Sequence, residues 1–274
     1  MPDDLQPSTL RFENVHVSFD GVPALTDISF EAQEGESRVI MGAAGSGKTV
    51  LLKTALGLVR PDSGRVLAFG KDLTTLREHD LFEVRSKVGM LFQESALFDS
   101  LTIEENVAYP LLNQKSIQCP KREVHQRVEE ALDFVELEGT LEKFPSELSG
   151  GMRRRAAIAR AVVTAPPLVL YDSPTAGLDP ITAHTIIALI VKERDINNTT
   201  TLLVTHRYQD GNLIANFRYN SRQGVLEAAR NGERGEARTT FMVLREGRLV
   251  FEGGQERLEA SSDSYVRKFV KQRE

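Results

Sequence analysis

One cysteine, Cys119, in 274 residues leaves no partner for an internal disulfide, and a chain without such cross-links suits a reducing compartment. Nowhere does an apolar run approach the roughly 20 residues of a membrane span. The opening MPDDLQPSTL lacks the basic-then-apolar layout of a secretory signal. Basic charge is not in excess either: 34 Lys+Arg stand against 39 Asp+Glu, a net charge of −5. That balance argues against general nucleic-acid binding, which calls for a basic face. No internal repeat is visible. These absences leave a soluble cytoplasmic protein as the expectation, with any membrane role exercised through a partner. What the chain does have is length. At this size about three quarters of the unfolded surface can be buried, enough for one large domain or a domain carrying a subdomain.

Residues 10–19 place Phe12, Val15, Val17 and Phe19 on the rhythm of a half-buried strand. An Asp20-Gly21 turn leads to a second strand at 28–32. Residues 37–41 form a short apolar strand running into a glycine-rich loop, and residues 50–58 read as a helix closed by Gly57 and Pro61. Another buried strand is expected at 87–92, followed by a helical block over about 94–165 with a charged stretch at 121–138. Strand signals return at 168–171 and 201–204. Strands alternating with helices imply a parallel sheet covered on both faces. Residues 212–238 stand apart: glycines break the segment, and Arg218, Arg222, Arg230, Arg234 and Arg238 dot it. A solvated hairpin or loop is the expectation there. The end, 265–274, is a short charged helix with apolar Val266, Phe269 and Val270.

The strongest chemical signal is GAAGSGKT, residues 42–49, in the phosphate-loop pattern G-x-x-x-x-G-K-[ST]. At ordinary glycine usage this pattern arises by chance in a chain of this length about once in a hundred, and here it has the required strand before and helix after. Gly45 and Gly47 let the backbone curl so that its N–H groups face phosphate oxygens, and the following helix N-terminus favours negative charge. Lys48 is placed to reach the β- and γ-phosphates, and the Thr49 hydroxyl to ligate Mg²⁺. The chain is therefore expected to bind a nucleoside triphosphate through Gly42, Ala43, Ala44, Gly45, Ser46, Gly47, Lys48, Thr49 and Val50.

A second signal is LSGGM, residues 148–152, where Ser149 is a natural N-cap for the helix RRRAAIARAVV that ends before Pro166-Pro167. Ser-Gly-Gly alone marks an ordinary helix start. Here it lies one helix length before an apolar strand tipped by Asp172, and about a hundred residues after the phosphate loop. Together these features resemble the ATP-binding cassette (ABC) ATPase family over nearly the whole chain. The resemblance implies an α/β fold: a P-loop core with a RecA-like parallel sheet, an antiparallel N-terminal β-subdomain and an inserted helical subdomain. One cassette domain would span 8–274, with the helical subdomain at about 94–165, an inserted hairpin or loop at about 212–238 and a helical tail at about 255–274.

The same resemblance gives roles to further residues. Gln93 in MLFQ matches the glutamine that joins core to helical subdomain and senses Mg²⁺ and the attacking water. His206 in LLVTH matches the switch histidine at the γ-phosphate, and Phe19 the aromatic that stacks on adenine. In the family two cassettes pair head to tail, so Ser149, Gly150 and Gly151 would act on ATP held by a second copy, and Asp179 would communicate across the dimer. Narrower stretches, MLFQESALF (90–98), NVAYPL (106–111), PSELSGGMRRRAAIARA (145–161) and LDPIT (178–182), are similar to the ATPases of Mla/Mce-type lipid transporters, including the methionine at 152. That likeness implies a membrane permease and associated lipid-binding components as partners, no nucleic acid, and a place on the inner face of the cell membrane. ATP and Mg²⁺ are the implied cofactors.

LYDSPTAGLDP, residues 170–180, departs from the family at one position. Asp172 reads as the carboxylate that holds Mg²⁺, usually through water, with Thr49 and Gln93 beside it. The next residue in most cassettes is a glutamate that polarises the attacking water; here it is Ser173. A hydroxyl without an activating base does not accept a proton at neutral pH, and losing a positioned base typically costs about 10²–10⁴ in rate. Two readings stay open at this stage. Either the site is naturally degenerate or served by another base, or serine was introduced to trap the ATP-bound state. The corresponding functions are a slow ATPase and a nucleotide-gated regulatory clamp. An ATPase of another ABC transporter class is the remaining alternative.

Overall fold

The computed structural model describes residues 8–114, 116–229 and 239–270. Two long strands, β1 (Ser8–Phe19) and β2 (Val22–Gln33), fold back through Asp20 and Gly21, both at positive φ as a tight hairpin turn requires. Their inner face carries Phe12 stacked on Phe30 at 4.8 Å. Strand β3 (Ser37–Gly42) follows, buried along its whole length, and then helix α1 (Lys48–Ala55). The helix starts two residues before the sequence-based expectation, because Gly47, at φ 99°, turns the chain directly into it. Strands β4 (Ser63–Ala68) and β5 (Lys71–Asp72) complete an antiparallel sheet of order β2-β1-β4-β5. Helix α2 (Glu78–Arg85) and strand β6 (Val88–Leu91) lead back to the core.

The middle of the chain is helical. Helix α3 (Ile103–Asn113) opens with a reciprocal capping box between Thr102 and Glu105. Helix α4 (Lys121–Phe134) follows, then α5 (Gly150–Val162), whose N-cap Ser149 accepts from the Met152 N–H. Strand β7 (Leu168–Asp172) leads to α6 (Pro180–Asn197), capped by Asp179 with proline in the first turn. Strand β8 (Thr200–Val204) leads to α7 (Tyr208–Asn216).

Within the segment singled out at 212–238, residues 212–216 finish α7. Strands β9 (Phe217–Asn220) and β10 (Val225–Ala228) then pair as a hairpin. Arg230, Arg234 and Arg238 lie outside the described residues, as do 271–274 of the expected terminal helix. The hairpin rests on α6: Asp195 accepts from the Tyr219 N–H, and Lys192 lies over the rings of Phe134 and Tyr219. Strands β11 (Thr239–Arg245) and β12 (Arg248–Gly253) and the short helices α8 (Gln255–Glu259) and α9 (Ser264–Val270) close the chain.

The central sheet has six strands in the order β12-β11-β3-β8-β7-β6, parallel throughout except for β12. Successive side chains enter opposite cores. Val39 and Met41 of β3 join α3–α6, whereas Ile40 between them joins the antiparallel sheet and α1. This two-sided burial is why β3, β7 and β8 read as continuous apolar runs.

Candidate nucleotide site

Parallel pairing brings the separated sequence signals to one edge. In an open parallel sheet, ligands bind beyond the carboxyl ends of the strands. Here β3 ends in the glycine loop, β7 in Asp172, and β8 two residues before His206. Asp172 pairs in register with Val204, and Val204 with Ile40. Gln93 follows β6, whose Leu91 pairs with Tyr171. Four motifs spread over more than 160 residues thus share an edge through register alone.

The glycine loop closes on itself. The Ser46 N–H donates to the Ala43 carbonyl at 3.2 Å, and the Leu51 N–H to the Gly47 carbonyl at 2.9 Å. Gly47 is demanded twice: its φ is 99°, and a Cβ there would lie 2.5 Å from the Ala24 carbonyl oxygen. The Lys48 ammonium donates to the Gly42 and Ala43 carbonyls at 2.9 and 2.7 Å. Burial pushes its pKa down, and the nearby Asp172 carboxylate opposes that. Ala44, Gly45 and Thr49 face solvent, and Val50 sits half-buried one turn into α1.

Asp172 is buried, and both its oxygens accept hydroxyl protons: Oδ2 from Thr49 at 2.8 Å, Oδ1 from Ser173 at 3.1 Å. Ser173 itself is in the left-handed conformation, φ 50°, with its N–H donating to the Val204 carbonyl at 2.9 Å. A hard carboxylate flanked by a hydroxyl at the start of α1 fits Mg²⁺, which takes a few protein oxygens and completes its octahedron with water and phosphate. No group of three or more His, Cys, Asp or Glu side chains among the described residues forms a metal cage, and a site that relies on phosphate oxygens needs none.

Several supporting residues were not legible as such. Arg154 of α5 is buried and donates to the backbone carbonyls of Phe92 and Gln93, fixing the start of the glutamine loop; its Nε has no partner. Asp210, buried in α7, accepts from Thr175 and Thr205 at 2.6 Å each. It therefore ties the turn after Asp172 to the residue before His206. Burial raises the Asp210 pKa, and the two hydroxyl bonds pull the other way. Its place four residues after the histidine was the available signal. His206 is exposed, as is Phe19 at the β1–β2 turn.

Ser149, Gly150, Gly151 and Asp179 are not part of this constellation. They line a separate cleft of about 610 Å³ with Arg155, Leu178 and Thr182, and no phosphate-loop residue borders it. Asp179 has a local task, accepting from the Ile181 and Thr182 N–H groups and the Thr182 hydroxyl. Those bonds, the hydroxyl's foremost, hold its pKa below the ordinary value. Gly151 lies against that helix: a Cβ there would stand 2.7 Å from the Thr182 methyl.

A glycine loop at the carboxyl edge of a parallel sheet, with lysine, threonine and aspartate converging, defines a P-loop nucleotide-binding cassette. Residues 25–176, more than half of the chain, match the family model for the ABC transporter, and the chain belongs to that family as an ATP-binding subunit. It is 34% identical to the intermembrane phospholipid transport system ATP-binding protein MlaF of Haemophilus influenzae, over 89% of this chain and 83% of that protein. It is 37% identical to the methionine import ATP-binding protein MetN of Rhizobium etli, over 88% of this chain but 64% of that longer protein. The ATP-binding cassette MJ0796, solved as a dimer in a post-hydrolysis state bound to ADP and Pi, superposes with a TM-score of 0.73 and 29% identity. The match covers 89% of this chain and 97% of that one.

Proposed function

We propose that this chain is the ATP-binding subunit of a lipid-moving ABC transporter. It would bind ATP with Mg²⁺, pair with a second copy around the nucleotide, and turn ATP over slowly. The observation that carries the reading is the Lys48–Thr49–Asp172–Ser173 constellation, in which Ser173 occupies the base position and points its proton at Asp172. Lys48 would leave the loop carbonyls for the β- and γ-phosphates, whose charge offsets the burial that now lowers its pKa. Thr49 and Asp172 would hold the metal, which when bound neutralises charge on the phosphate oxygens. For ATP and water to give ADP and phosphate, a proton must leave the attacking water. The Ser173 hydroxyl is a donor here and offers no basic site at neutral pH.

The lipid assignment is supported by the likeness to MlaF across most of both chains. A membrane partner would dock in the groove beside α3 and α5, where Phe98 and Tyr109 expose rings tilted against each other at 4.9 Å and Arg160 lies over Phe98. No helix among the described residues is long and apolar enough to cross a membrane, so the lipid path would belong to that partner. The test has two parts. Titration of the chain with ATP and Mg²⁺ should show binding that Lys48→Ala abolishes; unchanged affinity in that variant would defeat the site assignment. Phosphate release by the complex isolated with its membrane partner should respond to phospholipid. A response to methionine instead would transfer the chain to the amino-acid importers.

A further inference from the structure

The C-terminal helix reaches the phosphate loop. In α9 the Tyr265 hydroxyl lies 3.1 Å from the Ala43 backbone nitrogen and 3.1 Å from the Leu244 carbonyl oxygen. The chemistry leaves one assignment. A carbonyl only accepts, so the single phenolic proton goes to Leu244; the Ala43 N–H only donates, so it points at the phenolic lone pair. We infer that Tyr265 is a positioning residue of the nucleotide site. It fixes the Gly42–Ala43 peptide that opens the phosphate loop, so that the Tyr265 hydroxyl sets the affinity for nucleotide. This inference rests on the proposed reading of the site as an ATP site.

The geometry is specific to one peptide unit. Its N–H is the group donated to Tyr265, and its carbonyl, on Gly42, accepts from the Lys48 ammonium at 2.9 Å. Holding one end of a planar unit fixes the other. The anchor is itself rigid. Leu244 stands opposite Gly42 in the β11–β3 ladder, so both partners of the hydroxyl belong to the strand ends that launch the loop. The ring lies under the Arg245 guanidinium, 5.3 Å from its centroid, and meets Phe269 edge-on at 5.3 Å. The helix is seated by buried Val266 and Phe269, and two N–H groups of its first turn, on Tyr265 and Val266, donate to Asp263.

Two consequences separate this role from ordinary packing. Ala43 is solvent-exposed, so without the hydroxyl its N–H can find water, and the folded protein loses little. The peptide plane, however, gains freedom that binding must then remove, and ordering of this kind subtracts directly from affinity. Bringing Lys48 and the loop to the phosphates should therefore be less favourable while the chemistry after binding is unchanged.

The experiment uses the full chain with ATP and Mg²⁺. Tyr265→Phe removes only the oxygen and should weaken ATP binding on the order of 5-fold, the scale of one hydrogen bond. It should raise KM in proportion with kcat unchanged, and leave the melting temperature without nucleotide close to wild type. Val128→Ala opens a cavity in the helical subdomain, away from Tyr265 and its ring contacts; it should lower the melting temperature and leave affinity alone. Equal affinity in wild type and Tyr265→Phe overturns the inference, and so does an equal loss of affinity in Val128→Ala, which would mean that affinity merely follows stability. A wild-type chain that binds no ATP is a different result: it removes the ATP site itself, and the inference with it.

Discussion

At the residue scale, the serine after Asp172 decides more than any other side chain. Its hydroxyl and that of Thr49 occupy both oxygens of one carboxylate, a frame that can hold a metal and a triphosphate but contains no base. Replacing Ser173 with glutamate should put a carboxylate where it can orient water and take its proton. General-base assistance is typically worth about 10²–10⁴. One thing reduces that here: the surroundings have settled around serine, so the new carboxylate is imperfectly positioned. We therefore expect Ser173→Glu to raise ATP turnover at least ~10-fold with little change in ATP affinity, since Lys48, Thr49 and Asp172 are untouched. Turnover that stays flat, in a wild type already as fast as ordinary cassettes, would falsify the view that the site lacks its base. Asp210 would not then be the replacement. It is buried, and its Oδ2 is already taken by two threonine hydroxyls.

At the scale of elements, capping ties stability to the cleft that holds Ser149 and Gly151. Asp179 accepts from two N–H groups at the start of α6 and from the Thr182 hydroxyl. Its folded pKa is below the ordinary 3.8. The sign follows from linkage: a depressed carboxylate stabilises the fold fully above its unfolded pKa and loses that contribution as pH falls through the folded value. Wild type should thus melt above Asp179→Ala at neutral pH, and the gap should narrow as the pH drops below about 4. A gap independent of pH would mean that the charge contributes nothing. Elements with such local signatures were legible in the sequence: Ser149 before α5, the glycine loop after β3. Strand β11 was not recognised, although it sits beside β3 and buries Phe241, Met242, Val243 and Leu244. It lies just after an arginine- and glycine-broken segment, and only its pairing with a strand some two hundred residues earlier gives it a place in the sheet. Tyr265 and Arg154 were missed for the same reason. Their partners are backbone groups at 43, 92 and 93, and backbone groups carry no sequence signature. Lys48 and Thr49 could be read because the phosphate-loop pattern dictates their side-chain types, whereas Asp172 and Gln93 took their roles from the resemblance to the family.

At the scale of the whole molecule, the phosphate loop and the Ser149 cleft, the two halves of the site in the proposed reading, do not meet within one chain. The phosphate loop lies at the sheet edge, and Ser149, Gly150 and Gly151 line a different cleft, beside which Ile181 leaves 81% of its surface exposed. A second copy, turned head to tail, would set the N-terminus of α5 against the terminal phosphate, where its free N–H groups favour negative charge. We expect the chain to sediment as a monomer without nucleotide and as a dimer with ATP and Mg²⁺, the dimer persisting because turnover is slow. Gly150 provides the discriminating variant. A Cβ there meets nothing within 4 Å, so Gly150→Asp should fold normally and keep its own phosphate loop intact. In the dimer, however, the new carboxylate would face the partner's phosphates, and like charges at close range disfavour association. ATP should therefore still bind to Gly150→Asp while the ATP-induced doubling of mass disappears. Ser173→Glu should leave the doubling in place but shorten its lifetime, because hydrolysis then competes with persistence. If Gly150→Asp dimerises with ATP as readily as wild type, the copies pair through some other surface and the cleft at Ser149 is not the second half of the site.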